Sequence, residues 1–486
     1  MLKATRACTR HALRSAFWWP PERSLGFNAL DGSIHNVDPE IFELMLSERE
    51  MHNQSLSLMA MESYPTEAVC QANNAYLPAF EGYPGKRYHP GTAVVDAIER
   101  LCWDRALETF DLLPSEWGVN AQAMTGSLAN IYTFNALLRP GESLLRMELS
   151  HGGHISHGHQ IADRKISETA HRFDSIPYHV DPLTGLIDYE EVSKLAQHHR
   201  PRIIVAGGSA YCRHIDFARL RSIADRVDAL IHYDMSHFCG LVASGVFPSP
   251  FQFCDVVTTT PYKTLRGPQG ALIIFRRWME DAINSTVFPR YQCGTSYRNI
   301  AAMTVALRQA RTEESRREQG LFLQAATVLS QGLLERGYRL VTGGTDCHMM
   351  LVDLRSEGIS GYRVENVLGL INILANQNAI PGDVGLRFTG LRLATPPMII
   401  RGMEADNFAY IAELVHRGIE LAKRLSGEFE SEERDGSEQA RRSSKKNFLQ
   451  FLGSRCHQPQ VLKLKDDVIT LSRRYPLPSF LYRDLT

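Results

Sequence analysis

From about residue 118 onward, short apolar runs alternate with segments of helical period. Residues 202–206 (RIIVA) form one apolar run, closed by Gly207-Gly208. Residues 216–225 (DFARLRSIAD) carry a 3.6-residue period, and 229–234 (ALIHYD) form a second run that ends in an acid. Residues 255–260 (DVVTTT) and 271–275 (ALIIF) continue the series. Strand, helix and strand joined by short polar connections predict a mostly parallel α/β sheet. Ligands of such sheets sit at the carboxyl ends of the strands. The polar residues just after each run are therefore the first candidates for chemistry. A charged amphipathic helix is expected over 312–338, as a crossover into a second α/β unit. Residues 427–446 (GEFESEERDGSEQARRSSKK) are charged and Ser-rich, and read as a solvated loop with no chemistry. A helical pattern returns at 461–475, so the charged stretch reads as an insertion before a final helix.

Composition narrows the function classes. The 486 residues carry 53 basic and 54 acidic side chains and are 44% hydrophobic. That is enough apolar surface to offset ordering entropy, which excludes a mostly disordered chain. A net charge of -1 gives no general attraction to phosphate and argues against a nucleic-acid binder. With no run of 18 apolar residues, no membrane span is expected. The 9 cysteines are scattered singly, which fits a reducing compartment and neither a disulfide framework nor a zinc site. The first 21 residues are basic and acid-free, with Arg6, Arg10 and Arg14 on one side of a helix and Phe17, Trp18 and Trp19 after them. Residues 1–25 read as a mitochondrial transit segment, with a plastid segment or a plain basic arm of a cytoplasmic protein as alternatives.

Three weak signals gain weight from their order. Lys263 stands just after the run 255–260, where partial desolvation frees an amine as a nucleophile; alone it reads first as a surface lysine. Asp234 ends the strand before it, where a buried carboxylate can keep a pyridine nitrogen protonated; alone it reads equally as a helix cap. Gly126 and Ser127 precede the apolar helical run NIYTFNALL, and small residues at a helix N-terminus suit phosphate. Phosphate turn, then aspartate, then lysine is the arrangement of fold-type I enzymes dependent on pyridoxal 5'-phosphate.

Five segments then carry a specific resemblance: EGYPGKRY (81–88), SHGGHISHG (150–158), GSAY (208–211), DMSHFCGLV (234–242) and KTLRGP (263–268). Together they resemble serine hydroxymethyltransferase (glycine hydroxymethyltransferase), from about residue 35 to the end apart from 427–446. The resemblance implies an aspartate-aminotransferase-like α/β fold. A large domain with a mostly parallel seven-stranded sheet (61–312) follows an N-terminal arm (26–60) and precedes a smaller C-terminal α/β domain (313–486). It implies pyridoxal phosphate as cofactor, tetrahydrofolate as co-substrate, and serine and glycine as substrates. Lys263 forms the Schiff base, and Asp234 pairs with the ring nitrogen. Gly126 and Ser127, with Gly294 from a neighbouring subunit, hold the phosphate. His154 stacks on the ring, and Ser209 and His237 lie near its phenolic oxygen. Arg392 grips the substrate carboxylate, and Glu81, offered from the neighbouring subunit, shuttles a proton. Tyr88 and His89 lie near the reacting groups, and Leu149, Gly153 and Ile155 line the folate pocket. A homodimer or homotetramer follows, with a paralogous subunit as a further possibility. His151, His154, His157 and His159 have a spacing suited to metal, but no ligand in nearby sequence completes the set, and no metal is expected.

Several positions depart from the family pattern. Met61 replaces a serine that touches the substrate carboxylate. Ala79 replaces a tyrosine that contacts phosphate across the dimer. His89 replaces a tyrosine, Pro261-Tyr262 replaces Thr-His, and Cys293-Gly-Thr-Ser replaces a glycine-rich turn. The first reading is therefore an active serine hydroxymethyltransferase. The alternatives are a catalytically weak paralogue acting as a partner or regulatory subunit, and a folate-independent lyase on β-hydroxy amino acids.

Overall fold

The computed structural model describes residues 32–161, 164–383, 388–434 and 444–485. The candidate transit segment, 1–25, lies outside the described residues. Contacts divide the described chain into two compact units, one up to Glu50 together with the segment from Tyr482, the other Met51–Leu481. In the first, Asp38 Oδ1 accepts from Ile41 N at 3.1 Å and starts a helix, and the Arg49 guanidinium lies 5.7 Å from the centre of the Tyr482 ring.

The second unit is built on a seven-stranded sheet. Its strands are β1 (Trp117–Asn120), β2 (Ser143–Met147), β3 (Asp174–Tyr178), β4 (Ile203–Gly207), β5 (Leu230–Asp234), β6 (Val256–Thr259) and β7 (Leu272–Arg276). The spatial order is β1-β7-β6-β5-β4-β2-β3. β7 is antiparallel to both neighbours, and the remaining pairs are parallel. The expected runs are thus strands of a mostly parallel sheet. β4 reads IIVAG, buried at every position, because helices cover both faces of a parallel sheet. In register, Asp234 lies opposite Gly207 on one side and Thr258 on the other. Gly207 has φ +86°, and a Cβ there would stand 2.3 Å from Asp234 O, so only glycine lets β4 turn off beside β5.

A second, antiparallel sheet comprises β8 (Arg339–Leu340), β9 (Met349–Asp353), β10 (Asn376–Asn378) and β11 (Gly390–Ala394), in the order β8-β9-β11-β10. Its central strand pair places Arg392 opposite Leu351.

Three helices matter most. α1 (Gly126–Leu137) follows β1; its cap is Thr125, whose Oγ1 accepts from Leu128 N at 3.2 Å. The helix thus opens at Gly126 itself, earlier than the apolar run suggested. α2 (Glu313–Glu335) is the expected crossover helix, capped by Thr312 with Glu313 and Glu314 in the first turn, where acids complement the helix dipole. α2 packs its buried Phe322, Leu329 and Leu333 beside α3 (Asn407–Arg434). Gly332 permits the approach, since a Cβ there would stand 2.8 Å from Ala412 Cβ. Each such side chain contributes about 2–3 kcal/mol by leaving water.

The charged stretch 427–446 is a correction. α3 continues to Arg434, and another helix spans Ser444–Arg455, so much of the expected loop is helical. Phe429 and Phe448 are both buried, with ring centroids 5.3 Å apart, and the Arg363 guanidinium lies over each. A narrow aromatic stripe anchors helices whose composition is otherwise polar. Among the described residues, no helix is long and apolar enough to cross a membrane.

Candidate active site

β1, β2, β4, β5 and β6 all deliver their carboxyl ends to one edge of the sheet, and the loops leaving them form the site. Asp234, at the end of β5, is 5% exposed and forms its floor. Asn130 Nδ2 on α1 and His157 Nε2 lie 2.8 Å and 3.1 Å from Asp234 Oδ2, and Ser236 N donates to Oδ1 at 3.1 Å. Burial alone would push this carboxyl up. The hydrogen bonds from His157 and Ser236 outweigh it and hold Asp234 well below the usual carboxylate range. The support extends behind it. Thr258 Oγ1 donates to Asn130 Oδ1 at 2.6 Å, and His232 Nε2 lies 2.8 Å from the same hydroxyl.

Lys263 follows β6 and is 8% exposed. Burial lowers its amine to about 8, with Asp234 opposing the shift and Arg392 adding to it. His154 is held by Ser156 Oγ, 2.7 Å from its Nδ1. Burial, then the fields of His157, Lys263 and Arg392, lower His154 to about 4, so its ring is neutral. The loop that carries it is pinned to the loop after β4, because Ser209 N donates to Gly152 O at 2.8 Å. His237 is buried with an unpartnered Nδ1 and is likewise neutral, through burial and the charges of Lys263 and Arg392.

Two adjoining cavities meet at this edge. The inner one, about 240 Å³, is lined by Gly126, Ser127, Asp234, Thr260 and Lys263 among others. The outer one, about 340 Å³, is lined by Leu149, Gly153, Ile155, Phe388, Arg392 and Met61 among others. His154, Ser209, His237, Tyr262 and Lys263 border both. Arg392 donates from Nη1 to Ser209 O at 2.5 Å and from Nε to Asn376 Oδ1 at 3.2 Å. Burial draws it down to about 10, and it stays cationic at neutral pH. Met61 is 49% exposed and stands on this outer wall, so its thioether shares the cavity with the arginine.

The structure brings together Gly126, Ser127, Leu149, Gly153, His154, Ile155, Ser209, Asp234, His237, Lys263 and Arg392. It leaves Glu81, Tyr88, His89 and Gly294 off the walls of both cavities. These form a separate group. Gly82, after Glu81, is fixed at φ +95° by its carbonyl, which accepts from Arg87 Nη1 at 2.6 Å and Gln122 Nε2 at 3.0 Å. Arg87 is locked in turn by Asp96 at 2.7 Å and Glu99 at 2.6 Å. The His89 ring lies 6.0 Å from Phe80, and Tyr88 is 70% exposed. A Cβ on Gly294 would stand 3.9 Å from Ala79 Cβ, so two of the segments that depart from the family pattern are neighbours.

Sequence reasoning missed Asn130, Thr258 and the supporting role of His157. His157 was visible only as one of four closely spaced histidines. The structure resolves that spacing: His154, His157 and Asp234 have ligand atoms within 4.8 Å of one another, with His157 bonded to the carboxylate. Thr258 and Asn130 left no signal, since a threonine in a β-branched run and an asparagine in a helix are ordinary.

A buried ionised aspartate, a desolvated lysine and a small-residue helix N-terminus at the carboxyl edge of a mostly parallel sheet define a fold-type I pyridoxal-phosphate enzyme. Comparison with known proteins is more specific. The serine hydroxymethyltransferase family model matches residues 34–415. A cytosolic serine hydroxymethyltransferase of Aspergillus fumigatus is 42% identical over 470 residues, covering 92% of this chain and 97% of the relative. A mitochondrial serine hydroxymethyltransferase of Schizosaccharomyces pombe is 38% identical over 494 residues, covering 97% and 100%. A serine hydroxymethyltransferase of Caenorhabditis elegans is 42% identical over 418 residues, covering 82% of each. The chain belongs to the serine hydroxymethyltransferase family, whose enzymes use pyridoxal phosphate with tetrahydrofolate as co-substrate.

Proposed function

We propose that the protein interconverts serine plus tetrahydrofolate with glycine plus 5,10-methylenetetrahydrofolate. The observation that carries this reading is one continuous site in which an ionised Asp234, a lysine of pKa about 8 and a cationic Arg392 surround two adjoining cavities.

The residues present fit pyridoxal phosphate. The first turn of α1 offers free backbone N–H groups to the phosphate, and Gly126 is required there, since a Cβ would stand 2.7 Å from Thr260 Cγ2. The unpartnered Nδ1 of His237 borders the same cavity and is free to bond a ring substituent. When bound, the cofactor supplies the electron sink that accepts the pair left on the substrate α-carbon as the hydroxymethyl group departs. The chain does the rest. Lys263 would hold the cofactor through its free amine. Asp234 holds a proton on the ring nitrogen, because its carboxylate stays ionised across the physiological range. His154, being neutral and on the border of both cavities, would face the ring without adding charge. Arg392 orients the amino-acid carboxylate with a planar fork. Leu149, Gly153 and Ile155 give the outer cavity an apolar wall for a pterin. Glu81, offered with Tyr88, His89 and Gly294 by a second subunit, moves the proton at the serine hydroxyl. Their position off this chain's own cavities supports that assignment and an assembly of at least two subunits. The basic, acid-free first 21 residues support a mitochondrial location; the relatives include mitochondrial and cytosolic forms.

Absorption spectra test the reading. Pyridoxal phosphate should give a visible band, and glycine followed by tetrahydrofolate should raise a new long-wavelength band. A cofactor band that ignores both additions would refute it.

A further inference from the structure

Behind the outer cavity lies a pair of thiols that the proposed reaction does not use. Cys212 sits on the loop after β4, and Cys347 just ahead of β9; both are buried. The two segments are laced together. Asp346 N donates to Cys212 O at 2.9 Å. Arg213 pairs with Asp346 at 2.8 Å, and His214 N donates to the same carboxylate at 3.0 Å. The Thr345 hydroxyl lies 3.3 Å from Cys212 O and 3.5 Å from Cys347 Sγ. Across this seam the Cys212 and Cys347 side chains are close enough to influence each other's ionisation, while each thiol donates to a backbone carbonyl at 3.5 Å, Cys212 to Ala210 O and Cys347 to Met349 O. A disulfide needs Cα atoms about 4.4–6.8 Å apart. A backbone hydrogen bond one residue away sets a spacing of that order.

The two thiols are not equivalent. Burial alone would raise the Cys347 thiol, but the Cys212 side chain and a hydrogen bond to Thr345 bring it below its ordinary value, and Arg392 and Arg213 place positive charge beside Cys212. Cys347 is thus the more readily deprotonated of the two, and is assigned as the attacking thiol with Cys212 as the resolving thiol.

We propose that Cys212 and Cys347 are a reversible disulfide site, and that its oxidation loosens the grip of Arg392 on the amino-acid carboxylate. The oxidant class is a hydroperoxide. The Cys347 thiolate attacks one peroxide oxygen, the O–O bond breaks, and the other oxygen leaves as water after protonation. The Cys212 sulfur then attacks the Cys347 sulfur; the S–S bond forms as the S–O bond breaks, releasing a second water. Two thiols lose two electrons, and one hydrogen peroxide becomes two waters. The link to binding is the short loop 209–212. The Cys212 thiol donates to Ala210 O at 3.5 Å, and the neighbouring Ser209 O anchors Arg392 at 2.5 Å. A disulfide removes that donor and pulls the loop toward Cys347. This second half rests on Arg392 as the carboxylate site; the disulfide itself does not.

The test treats the full-length protein with hydrogen peroxide, alkylates free thiols and maps unreduced peptides by mass. A linked pair spanning Cys212 and Cys347, two hydrogens lighter than the separate peptides and split by dithiothreitol, is the expected product. Cys347→Ser and Cys212→Ser should each abolish it. The wild-type chain carries the mass readout whether or not a variant folds. Recovery of both cysteines as separate alkylated peptides, with oxidation only at Cys293 or Cys456, would overturn the site. The dissociation constant for glycine should rise at least threefold on oxidation and return on reduction. A linked pair with unchanged glycine affinity would overturn the coupling and leave the disulfide standing.

Discussion

His157 Nε2 lies 3.1 Å from Asp234 Oδ2, and both side chains are buried, so the acid at the floor of the site is held by a histidine with no wall on either cavity. A buried carboxylate is costly unless hydrogen-bonded. His157 and Asn130 together keep Asp234 charged and oriented.

Replacing His157 by Leu removes a charged hydrogen bond worth about 1.5–3 kcal/mol and should weaken pyridoxal phosphate binding about ten- to a hundredfold. Equilibrium dialysis reads the change. His157→Gln, which keeps a donor, should recover much of the affinity; equal losses for both variants would remove His157 from the supporting role.

Lys263 reacts with the cofactor only as the free amine. Its pKa in the folded protein is about 8, below the ordinary value of 10.5. Below pH 8 the amine is mostly protonated, so the rate of covalent attachment to the cofactor-free protein should fall about tenfold per unit as pH drops. Above pH 8 it should level off. Stopped-flow absorbance follows this; a rate still climbing at pH 10 would mean a solvated lysine.

Met61 puts a thioether on the wall that holds Arg392. Met61→Ser puts a hydroxyl on the wall shared with Arg392 and should lower the KM for serine about three- to tenfold, the value of one hydrogen bond of about 1 kcal/mol. Steady-state kinetics at saturating folate measures it. An unchanged KM would show that the substitution is silent.

The proposed second-subunit role of Glu81 would put Glu81 and Lys263 in different sites of one chain and in one site of a dimer. Lys263→Ala and Glu81→Gln should each be nearly inactive alone. Mixed by unfolding and refolding, they should regain about a quarter of wild-type activity, because half the dimers are mixed and each rebuilds one site. No regain would place Glu81 and Lys263 in the same subunit's site.

Much of this was legible along the chain, for a physical reason. Strand runs such as RIIVA and ALIHYD declare themselves because burial on both faces demands continuous apolar residues, and the polar residue after each run must lie at the ligand edge. Asp234, Lys263 and Gly126 were therefore readable as a set. The charged stretch 427–446 misled because Phe429 pins a helix through one narrow stripe, which composition averages away. What only the tertiary structure decided is pairing between distant segments. Asn130, His157 and Thr258 converge on Asp234 from three separate elements, and Cys212 meets Cys347 from two sheets. No local pattern records such contacts, since each side chain is ordinary where it stands and gains its role from the low-dielectric interior that brings the partners together.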